Sequence, residues 1–261
     1  MMRLALLAAL LLLAGCGRTL TVCADPNNMP FSNRRGEGLE NKLAELVAED
    51  LGAELRTVWW SQRRGWRRNT LGEGRCDAWM GVPSSLEALA TTRPYYRSTY
   101  VFVARAGSGL DGLTLDDPRL RELRIGVQLA GDDGANPPPA DALARRGLTE
   151  RIRGFMLYGD DRNADPAAQI VRAVERGDVD VAMAWGPLAG WHAASSKVPL
   201  RIEPVTPEMD QGRWPMVFDI SVGMAKDNQD LRREIDKSLS RNREAITRIV
   251  EAYHVPLAPG G

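Results

Sequence analysis

The pattern that most constrains the fold of this chain is a repeated alternation of short apolar strands with amphipathic helices. In the first half, strand patterns occur at residues 20–24, 53–59, 76–82 and 95–104. Helical periodicity occurs at residues 39–51 and 64–71. Strand–helix–strand alternation favours parallel strands joined by helical crossovers, so the sequence predicts an α/β fold.

The second half of the chain repeats the same alternation. Strand patterns occur at residues 123–128, 153–157, 179–185 and 217–225. Helical patterns occur at residues 140–146, 165–176 and 228–253, and we expect residues 256–261 to be a frayed tail.

Two α/β units of similar size predict two lobes with a hinge and a cleft between them. We place the first lobe at residues 16–103 and 218–261, and the second at residues 104–217. Ligands of open α/β sheets bind at the carboxyl ends of the strands, so we expect a site in the cleft.

The amino terminus predicts export and lipid attachment. An apolar run at residues 4–13 follows Arg3 and ends in Leu13-Ala-Gly-Cys16, the pattern of a lipoprotein signal peptide over residues 1–15. The run is too short to span a membrane, which takes about 20 apolar residues. We therefore expect a periplasmic protein whose only membrane contact is a lipid on Cys16. The alternative is ordinary signal cleavage, which would release a protein without an anchor.

The remaining cysteines, Cys23 and Cys76, are expected to form a disulfide, because export implies an oxidising compartment. The alternative is two free buried thiols. The two histidines, His192 and His254, do not have the spacing of metal ligands, so we predict neither a metal site nor a cofactor.

Charge and motifs exclude several function classes. The chain has 34 basic and 34 acidic residues, and this balance argues against nucleic acid as a partner. A nucleophile motif, a zinc-binding histidine motif and a phosphate-binding glycine loop are all missing from the sequence, so we do not predict an enzyme.

Several segments resemble the type 2 periplasmic binding proteins of the solute-receptor superfamily. They are the opening strand at 20–25, Gly-Arg-Cys-Asp-Ala-Trp-Met-Gly at 74–81, Thr-Arg-Pro-Tyr-Tyr at 92–96 and Gly-Asp-Val-Asp-Val-Ala at 177–182. The resemblance implies the two-lobed fold over nearly the whole exported chain. It also allows the role of a receptor for an ABC importer, or of a small-molecule lyase of the same fold.

Five motifs in order resemble a narrower group, the MxaJ/XoxJ accessory proteins of PQQ-dependent methanol dehydrogenases. They are the segments at 23–33, 62–71, 80–83, 92–100 and 185–190. The resemblance implies a periplasmic factor that docks on, matures or activates a quinoprotein alcohol dehydrogenase, with that enzyme and its cytochrome c as partners. The lipobox departs from this group, whose members look like soluble periplasmic proteins.

The resemblance also bears on the ligand. In amino-acid receptors of the superfamily, an arginine after the third strand clamps the ligand carboxylate, and here Ser85 takes its place. Serine lacks the charged, bidentate fork of arginine, so an amino-acid ligand is not expected. A receptor of this sequence would bind a small polar ligand of another class. The candidate ligand-binding residues, at predicted strand ends, are Asp25, Asn27, Phe31, Ser84, Ser85, Gln128 and Trp185. The alternative for Asp25 and Asn27 is that they only turn the chain.

A basic and aromatic cluster is a candidate docking surface for a protein partner. Arg63, Arg64 and Trp66 have the residue types that interfaces favour. The alternative is a solvated helix face with Trp66 turned inward. Trp59 and Trp60 come just before this cluster, in an alternating strand that should bury one ring and expose the other.

Overall fold

The computed structural model describes residues 17–62, 65–129, 136–156 and 165–259. The strands are β1 Thr19–Ala24, β2 Asn27–Asn28, β3 Ser32–Asn33, β4 Glu54–Trp59, β5 Ala78–Pro83, β6 Ala90–Thr91, β7 Tyr96–Arg105, β8 Ile125–Leu129, β9 Ile152–Met156, β10 Val181–Trp185, β11 Leu200–Pro204, β12 Met209–Asp210, β13 Trp214–Pro215 and β14 Val217–Met224. The helices are α1 Leu39–Asp50, α2 Trp66–Asn69, α3 Pro138–Arg145, α4 Gln169–Arg176, α5 Gly186–Ala194, α6 Gln229–Arg241 and α7 Arg243–Ala252.

Two groups of parallel strands are joined by antiparallel ones. The main order is β4-β1-β5-β14-β7-β10-β8-β9, with β6 added on β14 and β11 added on β7. Strand β1 is parallel to β4 and β5, and strand β8 is parallel to β9 and β10. The predicted α/β class with parallel pairing is confirmed.

Strand β7 connects the two groups of parallel strands. Its first part pairs with β14, from Tyr96 opposite Ile220 to Thr99 opposite Val217. Its second part pairs with β10, from Tyr100 opposite Trp185 to Ala104 opposite Val181. The long strand therefore runs from one parallel group into the other, as a hinge strand does. The exact lobe boundaries at 103/104 and 217/218 stay a prediction.

Helix α1 illustrates how the local sequence decides an element. Leu39, Leu43 and Val47 recur on one face and are fully buried against the first parallel group. The helix ends before Gly52, which has φ +61°, a conformation that glycine adopts without steric cost.

Three predicted segments differ from the structure. The helix expected at 64–71 is shorter, beginning at Trp66 and giving way to a 3-10 turn at Leu71–Glu73. The helix expected at 228–253 divides at Asn242, whose side-chain amide donates to the carbonyl of Ser238. Within the tail that was expected to fray, Leu257 instead bridges to Ser98 of β7, and residues 260–261 lie outside the described residues.

None of the described helices combines the length and the apolar character that crossing a membrane requires. The predicted signal peptide and Cys16 lie outside the described residues.

Candidate functional site

The loop that follows β1 is held by the carboxylate of Asp25. This side chain is buried, and it accepts hydrogen bonds from the backbone N–H of Asn27 at 2.8 Å and of Gln62 at 2.6 Å. Strands β2 and β3 then fold back on each other, with Asn27 opposite Asn33. Asp25 and Asn27 therefore do turn the chain, and a contact of either with a ligand stays a prediction.

The same loop covers the amino terminus of α1. The carbonyls of Pro30 and Phe31 accept the N–H groups of Leu39 at 2.7 Å and Glu40 at 2.8 Å. Gly38 is required here, because a Cβ would lie 2.1 Å from the carbonyl oxygen of Phe31. Free N–H groups at a helix start attract anions. The chain's own carbonyls occupy these two.

Phe31 of this loop contacts the parallel group that contains β8, β9 and β10. Its ring is 6% exposed and belongs to an apolar cluster with residues of β7, β10 and α5, including Val101, Ala184 and Leu188. The imidazole of His192 on α5 is buried near Met29, whose backbone opposes the lowering of the histidine's pKa. The loop after β1 therefore contacts the second parallel group through Phe31.

His192 is a buried histidine next to a carboxylate. Burial lowers its pKa, while the negative charge of Asp165 opposes the shift, and Nε2 lies 3.8 Å from Oδ1 of Asp165.

Trp185 lies among aromatic rings that the sequence analysis did not single out. Its ring packs edge-on against Tyr100, with centroids 5.3 Å apart, and against Phe218, with centroids 5.9 Å apart. Tyr100 is on β7 and Phe218 is on β14, so the three rings pack where the two parallel groups meet. Gln128 is buried on β8, where it lies opposite Phe155 of β9.

The two candidate serines do not act together. The hydroxyl of Ser84 lies 2.5 Å from that of Ser221 and donates to the carbonyl of Asp219 at 3.1 Å, so it ties β5 to β14. Ser85 is exposed. Three cavities of about 170, 500 and 720 Å³ occur among the described residues, and none is lined by any of the seven candidate ligand residues.

Glu40 is the residue near Asp25 that the sequence analysis missed. Burial raises its pKa to about 8, and the neighbouring charge of Asp25 adds to this shift. Its carboxyl lies against Gly81, where a Cβ would come within 1.9 Å of Oε1. The hydroxyl of Tyr95 accepts the N–H of Gly81 at 3.0 Å, and burial raises the pKa of Tyr95. A glutamate in the first turn of an amphipathic helix is ordinary, so nothing in the sequence marked it.

The predicted disulfide between Cys23 and Cys76 is confirmed, with a sequence separation of 53. It lies in an apolar cluster with Trp66, which is 6% exposed and packs edge-on against Trp79 at 5.3 Å. Trp66 is therefore turned inward. Arg63 and Arg64 lie outside the described residues.

The prediction for the tryptophan pair was wrong. Trp59 and Trp60 are both half-buried, with the guanidinium of Arg34 over the first ring at 5.9 Å and that of Arg75 over the second at 5.0 Å. Cation–π contacts cover the faces that a strict alternation would have left open. Among the described residues, no group of three or more histidine, cysteine or acidic side chains could hold a metal ion.

Comparison with known proteins assigns the family. Residues 20–255 match the model of the bacterial extracellular solute-binding proteins, family 3. Protein MoxJ of Methylorubrum extorquens is 33% identical over 253 residues, 92% of this chain and 82% of that protein. The crystal structure of the periplasmic binding protein XoxJ from Methylobacterium extorquens AM1 is 36% identical with a TM-score of 0.75, covering 93% of this chain and all of that one.

The structure of MxaJ from Methlophaga aminisulfidivorans MPT is 28% identical with a TM-score of 0.80, covering 92% of this chain and 100% of that one. These similarities extend over both parallel groups and the strands that join them. The chain belongs to the bacterial extracellular solute-binding proteins, family 3, is a periplasmic binding protein like MxaJ and XoxJ, and has the two-lobed type 2 fold.

Proposed function

We propose that this protein is a periplasmic accessory factor of a PQQ-dependent methanol or alcohol dehydrogenase, and that it acts by binding rather than by catalysis. Its similarity to MoxJ, MxaJ and XoxJ over most of the chain supports the proposal. The observation that carries it is the loop at residues 25–33. A receptor must leave room for its solute, and the packing of Phe31 against the second parallel group, with the capping of α1 by two loop carbonyls, supports a role other than solute binding.

The chemistry of the cleft argues in the same direction. Ser85 stands where amino-acid receptors have their arginine, and the helix start that would face an anion is capped by Pro30 and Phe31. A solute receptor for a small polar ligand is the alternative role. It requires room for a solute beside this loop, and the packing of Phe31 holds the loop in place.

The proposal is tested by capture of the dehydrogenase. A tagged Cys16→Ser protein is incubated with periplasmic extract of its own cells at physiological salt, and the proteins retained are identified by mass. We expect a quinoprotein dehydrogenase in stoichiometric amount, and its cytochrome c in a smaller amount. Retention of an importer permease, or a rise in melting temperature with a panel of small polar solutes, would instead establish the receptor.

The docking surface proposed for this partner is the segment around Arg63 and Arg64. Its two ends are fixed: Gln62 donates its N–H to Asp25, and Trp66 packs against Trp79. We expect R63A/R64A to weaken dehydrogenase binding, and the matched variant R67A/R68A, which alters two exposed arginines on α2, to leave it unchanged. Equal binding by both variants would remove this surface from the proposal.

We also propose that the protein is anchored by lipid on Cys16. The support is the Leu-Ala-Gly-Cys pattern after a short apolar run. Cell fractionation of wild type and of C16S tests it. We expect wild type in the membrane fraction and C16S in the soluble periplasm, and wild type in the soluble periplasm would contradict the anchor.

A further inference from the structure

A second surface, on the other side of the first lobe's strands, is open rather than filled. A groove of about 720 Å³ lies between the start of β7, helices α6 and α7, and the carboxyl-terminal tail. Its floor is apolar and consists of the buried side chains Tyr96, Leu239, Ile246 and Val250. A cavity of this size holds several side chains of another molecule.

The tail forms one lip of this groove and is held in place. The hydroxyl of Ser98 donates to the carbonyl of Pro256 at 2.6 Å, and the N–H of Ala258 donates to the carbonyl of Arg97 at 3.0 Å. Between these two bonds, the side chain of Leu257 is 51% exposed. An exposed apolar side chain on ordered backbone, beside an apolar groove, indicates a contact surface for another molecule.

The rim of the groove carries an excess of positive charge. Its two aspartates already have arginine partners: Asp219 pairs with Arg97 at 3.2 Å, and Asp236 pairs with Arg232 at 2.9 Å. The guanidinium of Arg93 donates to the hydroxyl of Ser240 at 2.8 Å and lies 4.0 Å from Asp236, and its side chain is 72% exposed.

Arg243, at the start of α7, is exposed on the same rim, and no salt bridge of its guanidinium was found among the described residues. An incoming negative charge can therefore reach the guanidinium of Arg243 and those N–H groups of Arg93 that Ser240 leaves open.

We propose that this groove docks an acidic segment of a partner protein, with one apolar side chain of that segment on the floor and its carboxylates on Arg93 and Arg243. The inference rests on the proposed function only in taking the partner to be a protein. The apolar floor accounts for affinity, and the arginines account for the choice of an acidic partner.

The groove is tested directly with the blocked peptide Asp-Glu-Phe-Glu-Asp, using backbone amide NMR shifts of the C16S protein. We expect shifts at residues that line the groove, and none from the basic peptide Lys-Lys-Phe-Lys-Lys. The variant R93E/R243E should weaken binding of the acidic peptide by about tenfold or more. The control variant R121E reverses the charge of an exposed arginine that does not line the groove, and it should bind the acidic peptide as wild type does. Equal binding of the two peptides, shifts elsewhere, no shifts at millimolar peptide, or equal loss in R121E would overturn the inference.

A second measurement separates this inference from the proposed function. Purified dehydrogenase is titrated onto wild type, R93E/R243E and R63A/R64A. Loss of binding in R93E/R243E places the dehydrogenase in the groove. If the acidic peptide binds through Arg93 and Arg243 while the dehydrogenase does not bind wild type, the groove stands and the proposed function fails. If the dehydrogenase binds wild type and R93E/R243E alike, the groove is not its docking site and the proposed function stands.

Discussion

Phe31 in the loop after β1 and Leu257 at the groove are both apolar side chains, but they differ in burial. Phe31 in the cleft is 6% exposed and packs with residues of the second parallel group. Leu257 at the groove is 51% exposed, on backbone that two hydrogen bonds hold. One apolar side chain is therefore part of the protein's interior, and the other borders an open groove.

The charged side chains of the two regions also differ in their exposure to solvent. In the cleft, Asp25 accepts two backbone N–H groups, and burial raises the pKa of Glu40 to about 8. At the groove, Arg93 and Arg243 are exposed to solvent. The carboxylates near the loop after β1 are enclosed by the protein, whereas the two arginines at the groove face solvent.

The largest effect is expected from the disulfide at the base of the filled loop. Cys23 and Cys76 close a segment with a sequence separation of 53, so C23A/C76A should lower the free energy of unfolding by about 4 kcal/mol on the chain-entropy model. Urea unfolding of the oxidised proteins measures this. Reduced wild type is the control and should unfold like the variant. Coincident curves for oxidised wild type and C23A/C76A would show that the bridge does not stabilise this region.

The next effect is expected from Phe31. F31A removes a buried ring from the cluster around Val101 and Leu188, so it should cost about 3 kcal/mol of unfolding free energy. It should also open the cleft, which hydrogen exchange at the amides of Leu39 and Glu40 would report as faster exchange. An unchanged stability and unchanged exchange would mean that the loop does not fill the cleft in solution.

A smaller effect, dependent on pH, is expected from Glu40. Its pKa is raised in the folded state, so between about pH 4.5 and 8 the unfolded chain releases this proton while the folded protein keeps it. The unfolding free energy of wild type therefore falls as pH rises through this window. E40Q should equal wild type near pH 4.5 and exceed it by about 2 kcal/mol near pH 8, after a discount for partial exposure. Parallel stability curves for the two proteins would contradict a buried, protonated Glu40.

The smallest effect is expected from Leu257. L257A should change the unfolding free energy by less than about 0.5 kcal/mol, because half of the side chain is already in water. The substitution should nevertheless weaken binding of the acidic peptide at the groove. Differential scanning calorimetry measures the first quantity and peptide titration the second. A large loss of stability would show that Leu257 serves the structure as Phe31 does.

The secondary structure was predictable because it depends on local patterns. The apolar face of α1, with Leu39, Leu43 and Val47, and the continuous apolar run of β10 were visible in the sequence. The division at Asn242 was not, because an asparagine is tolerated within a helix and only its bond to Ser238 ends α6 there. Export made the disulfide predictable, since two cysteines remain outside the lipobox.

The candidate site was predictable only in part. The residues after β1 do lie at the expected strand end, but the role of Phe31 depends on contacts with residues about 70 and 150 positions further along the chain. Glu40 gained its raised pKa from burial beside Gly81 and Asp25, which no spacing in the sequence reveals.

The sequence by itself determined the α/β class, the element order, the cysteine pairing and the resemblance to one family, because periodicity, turn residues and motifs are written locally along the chain. Only the tertiary structure decided that Phe31 of the loop after β1 packs against the second parallel group and that Arg93, Arg243 and Leu257 border an open groove. The physical reason is that burial and charge pairing depend on which distant residues meet, and the energies involved belong to those contacts rather than to any residue alone.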